Sequence, residues 1–91
     1  MSRYIVERTF PDGLRIPASD EGAQICATVI GNNSRSDVTW VHSYVSLDLG
    51  KSFCVYDAPT PEAIREAARD NSLPIDQITA VSVLDPYFYR S

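Results

Sequence analysis

Within Trp40-Val41-His42-Ser43-Tyr44-Val45 the chain sets its only histidine between two large aromatic side chains at alternate positions. If the run is a β-strand, Trp40, His42 and Tyr44 share one face. An imidazole, with an ordinary pKa of about 6.5, changes charge near neutral pH and can act as acid, base or metal ligand. A phenol beside it can donate a hydrogen bond to a ligand oxygen, and a nearby carboxylate can hold its tautomer. The spacing alone does not choose between binding and proton transfer.

The two other groups with chemistry of their own are Cys26 and Cys54. Two cysteines are too few for a disulfide scaffold, and they lack the close C-x-x-C spacing of zinc or redox sites. Each sits among apolar neighbours, where a thiol packs as a small hydrophobe. Cys54 also falls near polar groups of a predicted strand, which keeps a thiolate role open for it.

Strong local signals define the elements that must position these residues. Residues 3–10 are rich in β-branched and aromatic types and end at Pro11-Asp12-Gly13, a turn combination. Ser19-Asp20-Glu21 opens a helix, with a hydroxyl for an orphan amide and carboxylates at the positive end of the dipole. Ala23, Cys26, Val29 and Ile30 recur at helical spacing, and Gly31-Asn32-Asn33 is the expected stop. Residues 38–47 and 52–58 read as two strands closed into a hairpin by Asp48-Leu49-Gly50-Lys51. Thr60-Pro61-Glu62 starts a second helix, with Ile64, Ala67 and Ala68 as its apolar stripe and Pro74 beyond its end. Residues 78–84 form the last strand, broken by Asp85-Pro86.

Strand, helix, strand, strand, helix, strand is the order of a ferredoxin-like α+β fold, with both helices on one face of a four-stranded antiparallel sheet. The other face then needs cover, and a second copy packed against it would make a dimeric α+β barrel. A single domain of 91 residues, residues 1–91, also gains stability from such pairing. In the second strand Val41, Val45 and Leu47 are assigned to the helix side, leaving Trp40, His42 and Tyr44 on the open face. In the third strand Phe53 and Val55 are assigned inward, and Cys54 and Tyr56 outward. In the first strand Tyr4, Val6 and Phe10 pack beneath the helices while Ile5, Glu7 and Thr9 look out. Glu7, His42, Tyr44, Cys54 and Tyr56 would thus converge, although a slip of one residue would invert any of these sets.

The whole-chain composition narrows the partners. Twelve acidic against eight basic side chains give a net charge of -4 with no Lys/Arg cluster, so no nucleic-acid partner is expected. Met1-Ser2-Arg3-Tyr4-Ile5 lacks the apolar core of a secretory signal and no run approaches the about 20 apolar residues of a membrane span, so the expectation is a soluble, cytoplasmic protein with no membrane partner. The tail Tyr87-Phe88-Tyr89-Arg90-Ser91 is unusually aromatic. It suits a flap over its own domain or a contact with a partner subunit.

Four segments in order, Tyr4-Ile5-Val6-Glu7-Arg8, Trp40-Val41-His42-Ser43-Tyr44, Cys54-Val55-Tyr56 with Ala58-Pro59, and Glu62-Ala63-Ile64-Arg65-Glu66 running on to Leu73-Pro74, carry a family resemblance. The chain resembles a small bacterial family of ferredoxin-like proteins that includes a nickel-responsive, nickel-binding dimer. The resemblance implies the fold, a homodimer, and nickel as the cofactor to look for. His42 with Glu7 or other carboxylates is the start of a metal site, since nickel accepts nitrogen and oxygen ligands. The chain has Ala67 where family members commonly carry a histidine. With one imidazole per chain, metal capture needs carboxylates or the other subunit.

Three functions compete on these residues. One is a nickel-binding or nickel-responsive protein centred on His42. Another is a cofactor-independent enzyme or small-molecule binder in the dimer cavity, lined by Trp40, His42, Tyr44, Cys54 and Tyr56. There His42 would be acid or base for an isomerisation or cyclisation, Glu7 its orienter, and Tyr44 or Tyr56 the hydrogen-bond donors. The third is an assembly domain, expected if the open face is dry and apolar throughout.

Overall fold

The computed structural model describes residues 1–14, Ile16 and residues 19–88. Its elements are β1 (Ser2–Thr9), α1 (Asp20–Ser34), β2 (Thr39–Val45), β3 (Lys51–Ala58), α2 (Pro61–Asp70) and β4 (Gln77–Val81). The strands form an antiparallel sheet in the order β2-β3-β1-β4. This is the ferredoxin-like βαββαβ architecture expected from the element order.

Helix α2 follows its local chemistry closely. Thr60 takes an extended conformation and its side chain accepts a hydrogen bond from the Ala63 amide at 3.2 Å, with Pro61 opening the first turn. Ile64, Ala67 and Ala68 are buried, and the small alanines let the helix lie close on the sheet. The chain leaves the helix through Ser72, whose φ of 56° is left-handed, and the Leu73 amide closes back on the Ala68 carbonyl at 2.9 Å.

Helix α1 departs from its expected end and its expected face. It passes through Gly31, Asn32 and Asn33 to Ser34, and the left-handed residue is Asp37, at φ 58°. Those asparagines hold the helix in place by tertiary bonds: the Asn71 side-chain amide donates to Asn33 Oδ1 at 2.9 Å, and that of Asn32 donates to Asn71 Oδ1 at 2.7 Å. The inward stripe is Gly22, Cys26, Val29 and Asn33, whereas Ala23 and Ile30 are exposed. Asn33 is 2% exposed; its side-chain oxygen is bonded to the C-cap of α2, whereas its Nδ2 is buried with no partner among the described residues.

The core lies between helices and sheet and contains Tyr4, Val6, Val38, Cys54, Tyr56, Ala58, Ile64 and Ala67, with Trp40 packed against it. Cys54, Tyr56 and Trp40 therefore face the helices, contrary to the expected outward placement. Phe53 and Val55 take the open face. Both alternating sets of β3 are apolar, so hydrophobicity alone does not fix the phase, while cross-strand pairing does: Tyr56 lies opposite Tyr4 and Cys54 opposite Val6. In β2 a register shift between Trp40 and His42 inserts Val41 as an extra residue, so Trp40 points to the core while His42 does not. Leu47, expected inward, is fully exposed in the hairpin loop, where Leu49 rather than Gly50 takes the left-handed conformation at φ 62°. The last strand ends at Val81, leaving Val83 and Leu84 exposed, and Tyr87 and Phe88 are exposed rather than folded back as a flap. Tyr89, Arg90 and Ser91 lie outside the described residues.

Candidate functional site

The sheet presents two chemically different surfaces. On the helix-free face, cross-strand rows follow the register: Ile5, Val55 and His42 form one, and Glu7, Phe53 and Tyr44 the next. The imidazole of His42 meets the Tyr44 ring edge to face, with centroids 5.2 Å apart and planes at 86°. Around them an open cleft of about 380 Å³ is bordered by Arg3, Ile5, His42, Tyr44, Val55 and Val81. Arg3 is locked to Asp57 through a paired contact, Nε to Oδ1 at 2.9 Å and Nη2 to Oδ2 at 3.1 Å. That bond holds the Asp57 carboxyl below its ordinary range.

Glu7 shares this face with His42 but not its row. The strand β3 lies between them, which separates their backbones by about 10 Å from the interstrand spacing alone. Phe53 and Val55 fill the interval. The expected convergence of Glu7, His42, Tyr44, Cys54 and Tyr56 thus divides: His42, Tyr44 and Glu7 remain on one side, and Cys54, Tyr56 and Trp40 lie on the other. Among the described residues no group of three or more histidine, cysteine or acidic side chains is close enough together to hold a metal ion. Cys26 and Cys54 are both free thiols on the helix side.

The second surface is a partly open pocket of about 90 Å³ on the helix side of the sheet. Its lining includes Phe10, Leu14, Val29, Trp40 and Val45 together with Arg8, Ser43, Ser52 and Tyr56, and the surface that these residues turn toward it is apolar. Arg8 is 3% exposed. Its Nη1 donates to the Tyr56 hydroxyl at 3.2 Å, its guanidinium carbon lies 5.7 Å from the centre of the Tyr56 ring, and its Nε is buried with no partner among the described residues. Burial pushes the Tyr56 hydroxyl up to about 12, with the positive charge of Arg8 pulling the other way. The Trp40 indole donates to Ser43 Oγ at 2.8 Å, which holds the ring against the pocket.

Arg8 is the group that the sequence reading passed over. Strict alternation from Tyr4 and Val6 to Phe10 carries Arg8 onto the same inner face, and that period was the available signal.

These features define a ferredoxin-like α+β protein with one helix-covered and one bare sheet face. Residues 4–81 match the family described as nickel responsive protein SCO4226-like, and the chain belongs to that family. Its fold is similar to the crystal structure of SCO4226 from Streptomyces coelicolor A3(2), with a TM-score of 0.74 at 15% identity, over 92% of this chain and 100% of that one. Comparison with curated proteins finds no match. No helix among the described residues is long and apolar enough to cross a membrane.

Proposed function

We propose that this chain is a nickel-responsive binding protein whose metal site is completed between two copies, each contributing His42. The observation that supports this reading most directly is the exposed imidazole on a helix-free face, bordered by Ile5, Val55 and Val81. Imidazole nitrogen suits nickel, and one protomer offers only one such ligand. A second copy related by a two-fold axis would bring its own His42 to the same place and cover the apolar strips beside it. Glu7 on the same face would supply carboxylate oxygen to such a shared site, reached from the partner rather than across β3. The description of the family supports nickel as the ion.

The test is metal uptake by untagged protein, compared with His42→Ala. Retained nickel after dialysis is expected for the wild type and should fall to background in the variant. Equal uptake by the two proteins would contradict the proposal.

A further inference from the structure

His42 reaches the bare face without the support that metal-binding imidazoles ordinarily have. Such a ring is usually oriented by a hydrogen bond from its second nitrogen to a carboxylate, a backbone carbonyl or water. Among the described residues no side-chain hydrogen bond or ion pair involves His42. The Glu7 of its own chain lies beyond β3. Strand β2 is at the edge of the sheet, so the ring is flanked by a strand on one side only, with Val55 opposite it. Along β2 the register shift decides what stands next to it. Trp40 is turned to the core, which leaves the side of His42 toward Arg3 and Val81 to the open cleft. On the other side stands Tyr44, two residues further along the same face, and its ring meets the imidazole edge to face at 5.2 Å and 86°.

We propose that Tyr44 is the positioning residue of His42: through its ring and not its hydroxyl, it holds the imidazole in one orientation on the bare face. The inference deepens the nickel reading and rests on it for any effect on the metal, whereas the contact itself belongs to each chain alone. An exposed imidazole turns about two side-chain bonds, and freezing that motion when an ion binds costs affinity. A neighbour that already restrains the ring removes part of this cost. An edge-to-face pair does so because the positive edge of one ring meets the negative face of the other. Tyr44 is 65% exposed and lies outside the core, so the fold should survive its replacement.

The chain has one histidine, so its ring protons can be assigned without ambiguity. In metal-free wild type, proton NMR should show those signals displaced from a free imidazole by the ring current of Tyr44. Tyr44→Phe should keep the displacement and bind nickel within about twofold of the wild type, whereas Tyr44→Leu should lose the displacement and bind about three- to tenfold more weakly. Undisplaced signals in the wild type, a displacement that persists in Tyr44→Leu, or nickel bound as tightly by Tyr44→Leu as by the wild type would each overturn the assignment. So would equal weakening in Tyr44→Phe and Tyr44→Leu, which would give the role to the hydroxyl. The spectra need no metal: equal nickel uptake by wild type and His42→Ala would remove the nickel reading and leave the ring signals alone to decide whether Tyr44 holds His42.

Discussion

Tyr56 shows how one residue ties burial to stability. Its hydroxyl is raised from 10.0 to about 12 in the folded protein, chiefly because the phenolate would be stranded in the core. The folded state therefore holds this proton where the unfolded chain has released it. Stability from this group is complete below about pH 10 and is lost as pH rises through about 12. Urea unfolding midpoints across that window should fall steeply for the wild type and less so for Tyr56→Phe; parallel declines would show that the proton on Tyr56 is not the cause. The inward position of Tyr56 was not legible in the sequence, because Cys54-Val55-Tyr56 offers an apolar residue to either side and only the pairing with Tyr4 and Val6 decides. His42 was placed correctly. Trp40, two residues earlier, was not, since no sequence signal marked the extra residue at Val41.

Elements with chemistry at their ends were the easiest to read. Thr60, Pro61 and Ile64 define α2 through a cap, a preorganised first turn and a buried stripe, and all three act as their residue types require. Thr60→Ala should cost about 1 kcal/mol in unfolding free energy, and Ile64→Ala, which opens a void at a side chain 1% exposed, about 2–5 kcal/mol. If chemical denaturation ranks them the other way, the helix is held by its cap more than by its packing. Helix α1 was harder. Its end is set by Asn33 and Asn71, residues far apart in sequence whose side chains meet only after folding. Gly31, the obvious stop signal, is an ordinary helical residue with nothing within 4 Å of the place a side chain would occupy.

At the scale of the whole molecule, the order of elements and the antiparallel sheet follow from turns and caps spaced along the chain. The division of labour between the two sheet faces does not, because it depends on register. The covered face keeps a small, partly open apolar pocket beside the buried Arg8, and the bare face keeps His42 beside apolar strips that a second copy would bury. The most direct measurement of that arrangement is the stoichiometry of nickel binding by calorimetry on untagged protein, with the oligomeric state followed by sedimentation in the same buffer. An isologous pair sharing one ion predicts about half an equivalent of nickel per chain and a dimer. A full equivalent bound to a monomer would contradict it.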